Sequence, residues 1–168
     1  MHINSKRTTM KGNKKLLTVL NSLLADELTA INQYMVHSEM CENWGYSKLH
    51  MAIRKQAIDE MHHAEWLIER IIFFDGSPTV SKLNTIKIGK TVSEMISNDN
   101  DDELNAVRAY NDAIKLAREV DDQGTVDLLT KILKMEEGHV DWAEIQRAQI
   151  EQMGMENYLV NQTESPVS

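Results

Sequence analysis

Two glutamate-histidine pairs with the same internal spacing, Glu60 with His63 and Glu136 with His139, are the residues whose types and positions point most directly to chemistry. On a helix, side chains at i and i+3 lie about 5–6 Å apart at Cβ, close enough for each pair to reach one metal ion together. A further glutamate precedes each pair at a matched distance: 33 residues separate Glu27 from Glu60, and 33 separate Glu103 from Glu136. The two halves of the chain thus carry one pattern, a glutamate followed by Glu-x-x-His, without obvious repetition of the surrounding sequence. Tyr34 and Tyr110 extend the match, each seven residues past the first glutamate of its half.

Oxygen ligands with one nitrogen per metal favour iron or manganese, and zinc can compete. Four carboxylates bring four negative charges and two divalent ions bring four positive ones. A two-metal centre would therefore neutralise acids that are otherwise costly to bury. Glu27 and Glu103 are expected to complete or bridge the site, and the set matches the ligand arrangement of di-iron carboxylate bundles. Taken singly, an inward glutamate is as easily a surface residue and a lone histidine a satisfied core residue; six at matched spacing argue for one site. Tyr34 is expected to support the ligands through its hydroxyl, and Tyr110 is a core aromatic with the same opportunity.

Helices must position these residues. Apolar side chains recur at helical spacing from Asn13 to about Trp44, with Leu16, Leu20, Leu24, Ile31 and Tyr34 on one stripe that Glu27 interrupts. Gly45 breaks this helix, Ser47 can cap the next, and a second run continues to about Phe74 with Ile53, Gln56, Glu60, His63 and Leu67 on one face. A third helix opens at TVSEM and runs to about Val120, carrying Glu103 among Val92, Ile96, Val107 and Ile114. After a tight connection at Asp121–Gly124, a fourth carries Glu136 and His139 among Leu129, Ile132 and Ala143 and ends near Met153. A short fifth segment, MENYLV, follows Gly154.

The stretch from Asp75 to Lys90 is long for a connection in a compact domain. Helices of about 28 residues are roughly 42 Å long, and about 14 extended residues reach roughly 46 Å. The loop can therefore run the length of a bundle, making the second and third helices parallel in a single-crossover topology. An irregular surface loop between antiparallel neighbours is the alternative. The expected fold class is an all-α ferritin-like four-helix bundle with one long crossover between helices two and three and a short fifth C-terminal helix. Residues 1–12 are expected to form a mobile N-terminal arm or extension, 13–160 the bundle domain with its fifth helix, and 161–168 a frayed tail.

Composition agrees. The 168-residue chain fits one domain, and its two prolines, seven glycines and many helix-forming residues favour helix over sheet. A net charge of -8 argues against nucleic-acid binding and suits a protein that attracts cations. The single cysteine, Cys41, excludes an intramolecular disulfide or a Cys-rich cluster and is read as structural. The basic, polar start has no secretion-signal core, Met10 offers a second plausible beginning, and no run is long enough to span a membrane. A soluble cytoplasmic protein is the expectation.

Within IDEMHHAEW, His62 points about 160° from Glu60 around the helix and His63 only about 60°. His63 is the expected ligand and His62 a surface or interface residue. EEGH in the other half has glycine at the position matching His62. Met61 is turned off the metal-facing stripe, where packing at a subunit contact is what geometry alone supports.

The chain resembles the bacterioferritins, the haem-containing branch of the ferritins, from about Met10 to Leu159. The resemblance is carried by LLADELTAINQY, IDEMHHAEWLIERI, DDELNAV, EEGHVDW and the terminal MGMENYL. It implies self-assembly into a cage of two dozen subunits. Each subunit would oxidise iron(II) with oxygen or hydrogen peroxide at a di-iron centre and pass iron(III) inward as mineral. It also implies haem b at a two-fold subunit interface with Met61 as axial ligand, and a ferredoxin partner supplying electrons for iron release. Where well-known members have a histidine and a glutamate, this chain has Lys55 and Gln56, with Asp59 kept, so an inner-surface iron site is not carried over. A haem-free ferritin, or a non-enzymatic metal-binding bundle, would keep the same six ligands. A DNA-protecting mini-ferritin builds its site between subunits, and a rubrerythrin-like peroxidase needs cysteines that this chain lacks.

Overall fold

The computed structural model describes residues 10–164. The expected N-terminal arm lies outside the described residues as far as residue 9, and the expected tail does so from residue 165. Five helices follow in order: α1 (Lys14–Asn43), α2 (Ser47–Phe73), α3 (Val92–Glu119), α4 (Gln123–Met153) and α5 (Met155–Val160). Asn13, Thr91 and Asp122 cap α1, α3 and α4 by accepting backbone N–H bonds from Leu16, Glu94 and Thr125. The cap expected of Ser47 is not made. Ser47 is already the first residue of α2, because the carbonyl of Tyr46 accepts the first helical bond from the His50 N–H and so makes Tyr46 the cap. Gly45, at φ 81°, lets the chain reverse between α1 and α2.

α1 packs along α2 and α3 along α4, and contacts of α1 with α3 and of α2 with α4 close the bundle. The connection from α2 to α3 runs beside α1 and is fastened to it at intervals. Asn21 Oδ1 accepts from the Thr79 N–H, Thr29 Oγ1 from the Asn84 N–H, Gln33 Oε1 from the Lys87 N–H and His37 Nε2 from the Gly89 N–H. These attachments climb α1 from its second turn toward its last third, so α2 and α3 are parallel and the single-crossover topology is the one formed. The segment reaches α3 only because residue 89 is glycine: a Cβ there would lie 2.4 Å from the Met95 nitrogen.

The buried apolar side chains form two clusters. One gathers Leu16, Leu20, Leu24, Leu67, Ile71, Ile114, Leu129 and Ile132. The other gathers Tyr34, Cys41, Leu49, Ile53, Met95, Ile96 and Tyr158. Between them, at mid-length of all four long helices, lies a buried polar layer. Burial pushes the Cys41 thiol up to about 11, as expected of a structural cysteine. At the far end α5 is anchored by Tyr158, fully buried, whose hydroxyl donates to Gln146 Oε1 at 2.8 Å. No helix among the described residues is long and apolar enough to cross a membrane.

Candidate metal centre

The polar layer consists of Glu27 from α1, Glu60 and His63 from α2, Glu103 from α3, and Glu136 and His139 from α4, each at most 8% exposed. Each occupies a position where the helical period demands an inward side chain, so the bundle brings all six sequence candidates together. They form two overlapping groups. One ligand atom from each of Glu27, Glu60, His63 and Glu136 lies within 4.8 Å of the others, and the same holds for Glu60, Glu103, Glu136 and His139. Glu60 and Glu136 belong to both groups. The carboxylates placed to bridge are therefore those of the Glu-x-x-His pairs, whereas Glu27 and Glu103 each serve one end. Helices α2 and α4 face each other across the centre, and spacing along a single helix could not reveal which pair would be shared.

Both imidazoles turn Nδ1 inward. His63 Nδ1 is 3.1 Å from Glu60, 3.3 Å from Glu136 and 3.5 Å from Glu27. His139 Nδ1 is 2.9 Å from Glu60 and 3.3 Å from both Glu103 and Glu136. Their outer nitrogens differ: His139 Nε2 meets Asp59 Oδ2 at 3.3 Å, while His63 Nε2 meets only the Met135 sulfur at 3.4 Å. Asp59 also accepts from the Lys55 ammonium at 2.9 Å. An imidazole that donates outward to a carboxylate is oriented and made a better ligand, so the two ends of the centre are chemically unequal.

The tyrosines cross over. Tyr34 of α1 donates to Glu103 of α3 at 2.5 Å, and Tyr110 of α3 donates to Glu27 of α1. Tyr110 fixes Glu27 Oε1 and leaves Oε2 facing His63, whereas Tyr34 bonds the Glu103 oxygen, Oε1, that itself faces His139. Burial drives the hydroxyls of both tyrosines well above their ordinary range, with the carboxylates adding to the effect. Burial likewise raises Glu27, with the charges of Glu136 and Glu60 behind it, and raises Glu103, with Glu60 and Glu136 behind it. For His63, burial works downward but hydrogen bonds to Glu136, Glu27 and Glu60 overcome it and push the imidazole up to about 12. His139 moves the same way against its burial, through Glu103, Glu136 and Glu60. Burial opposes ionisation of Glu60, yet bonds from Glu27, His139 and His63 hold it below the usual carboxylate range.

Among the described residues, four buried side-chain atoms lack a well-aligned hydrogen bond, and three belong to this cluster and face one another: Glu60 Oε1 and Glu136 Oε2, at 2.9 and 3.3 Å from His139 Nδ1. Buried polar atoms left without such bonds are expensive, and three converging oxygen and nitrogen donors fit a cation. A cavity of about 180 Å³ opens from the surface and ends at the centre, touching Glu27, Glu60, Glu103 and Glu136. Met61 lies apart from all this. It is 44% exposed on the outer side of α2, where Ile58 is also exposed, as are Met35 and Val36 on α1. His62 is exposed, with Nδ1 3.4 Å from Glu65 and its ring stacked beside Trp66, and belongs to neither ligand group.

Fold and site together define a four-helix carboxylate-histidine bundle with a single crossover. The family model for the ferritin-like domain matches residues 17–153. The bacterial ferritin of Synechocystis sp. is 41% identical over 154 residues, covering 91% of this chain and 99% of that protein. The bacterioferritin of Mycobacterium leprae is 38% identical over 159 residues, covering 95% and 100%, and that of Brucella melitensis is 37% identical over 149 residues, covering 89% and 92%. The chain belongs to the ferritin family, among the bacterioferritins.

Proposed function

We propose that this protein stores and detoxifies iron in the cytoplasm, oxidising iron(II) at the six-residue centre and depositing iron(III) as mineral inside a self-assembled cage of two dozen subunits. The observation that carries the reading is the pair of ligand groups sharing Glu60 and Glu136, with oxygen and nitrogen atoms that lack well-aligned hydrogen bonds facing one another. The names of the relatives, bacterial ferritin and bacterioferritin, support the iron-storage assignment.

Iron is the substrate. Each iron(II) loses one electron to oxygen or hydrogen peroxide, and holding two irons in one place supplies two electrons to a single oxidant. The residues' contribution is positional. Glu60 and Glu136 set the separation of the two irons, Glu27 with His63 and Glu103 with His139 complete each end, and the buried tyrosine hydroxyls keep the end-on glutamates from swinging. The acid-lined cavity gives a hydrated cation a path to the centre. Haem b would be held between two subunits by Met61 from each, where it would carry electrons, received from a ferredoxin, for iron release.

Iron(II) added aerobically to the apoprotein should be oxidised quickly, and Glu27→Ala or Glu136→Ala should slow the initial rate by about a hundredfold, the scale on which loss of groups that position a metal acts. Absorbance of the iron(III) product checks this. Wild-type rates in both variants would mean that the centre is misassigned.

A further inference from the structure

Just above the centre, the cavity is flanked by two half-buried carboxylates, Asp26 from α1 and Asp102 from α3, with Asn84 of the crossover segment exposed at its mouth. The crossover segment touches both acids. Asn84 Nδ2 donates to Asp26 Oδ1 at 2.5 Å. The Lys87 ammonium sits 2.8 Å from Asp102 Oδ1, while Gln33 Nε2 donates to Asp102 Oδ2 at 2.8 Å. Lys87 therefore places a positive charge on one of the two carboxylates that an entering cation must pass. Its backbone N–H is fixed to Gln33, which bonds the same Asp102, so the chain holds the ammonium against a carboxylate that lines the cavity, although Lys87 itself is not part of the lining. Glu60 Oε1 and Glu136 Oε2, buried and without well-aligned hydrogen bonds, belong to residues that line the inner end of the same cavity.

We propose that Lys87 is a gate residue, a resident cation on Asp102 that an incoming hydrated divalent metal ion must displace before it reaches the centre. The inference rests on the proposed role of the centre. Its physical content is a competition: Lys87 lowers the attraction of the mouth for any cation, and a divalent ion competes for Asp102 better than a monovalent one. Lys87 is 41% exposed at its side chain, so the pair is weak enough to open on each passage.

The test is stopped-flow binding of cobalt(II) to the apoprotein, followed by its ligand-field absorbance, with no oxidant present. Lys87→Met should raise the association rate by about fivefold, the size of one unit charge acting over about 4 Å in water. Asp102→Asn should lower it, and in the double variant the gain from removing Lys87 should vanish. Lys115→Met, which deletes an exposed charge paired with Asp112 outside the cavity lining, should leave the rate unchanged. An unchanged rate in Lys87→Met overturns the gate alone. A gain that persists without Asp102, or that Lys115→Met reproduces, overturns it in favour of a general charge effect. Wild-type protein that takes up no cobalt overturns both the gate and the reading of the centre.

Discussion

Met61 and His62 are neighbours in the chain and both are exposed, but they present different chemistry at the surface. The thioether is a neutral, soft donor one turn from the exposed Ile58, whereas the imidazole is drawn toward Glu65. Met61→Leu should therefore abolish the haem absorbance of protein purified with adequate haem supply and leave aerobic iron(II) oxidation unchanged, while His62→Ala should keep the haem. Haem retained in Met61→Leu would remove Met61 from that role. At this scale the six clustered residues were legible as candidates because their spacing repeats and because acid at a core position contradicts its surroundings. The partners of those residues were not. Nothing local tells that Tyr34 reaches Glu103 and Tyr110 reaches Glu27, since each bond joins residues of different helices. The same is true of Asp59 and Met135, whose contacts with His139 and His63 make the two ends unequal.

Among the elements, the crossover segment is the one whose conformation the sequence under-specified. Its length permitted a run along the bundle, but the attachments depend on Asn21, Thr29, Gln33 and His37, polar residues of α1 that no motif singles out. Two of them, Gln33 and His37, are wholly buried by the segment and by Asp99, which accepts from both side chains. Gly89 is the point where this arrangement has least room. Gly89→Ala should force the segment off the first turn of α3 and lower the melting temperature by roughly 4–8 °C, corresponding to about 2 kcal/mol of overpacking in a domain of this size. Thermal melting followed by circular dichroism measures it, and an unchanged midpoint would mean that the segment lies less closely against α3 than described. The helix boundaries, by contrast, were readable because Gly45, Asp122, Gly154 and the apolar period mark them chemically. Two departures stand out: at Ser47 a hydroxyl in a favourable position lost to a backbone carbonyl one residue earlier, and Gln123 and Gly124, expected in the connection, already belong to α4 behind the Asp122 cap.

For the whole molecule, the acidic balance and the centre agree in sign: a net charge of -8 favours cations near the surface, and the cavity is lined by four carboxylates of the centre. The polar layer also divides the apolar interior into two clusters, which makes the bundle, in mechanical terms, two short blocks joined end to end by four continuous rods. Heat needs only to loosen the joint for one block to melt before the other. In calorimetry the metal-free protein should show a van't Hoff enthalpy below its calorimetric enthalpy, the mark of unfolding in parts. Two divalent ions held by ligands from all four helices should rivet the blocks and restore a single transition at higher temperature. Equal enthalpies with and without metal would mean that the rods alone carry the coupling. If the ratio changes as expected, the acids at mid-length set more than reactivity: they make the cargo itself the fastener that lets the subunit melt as one body.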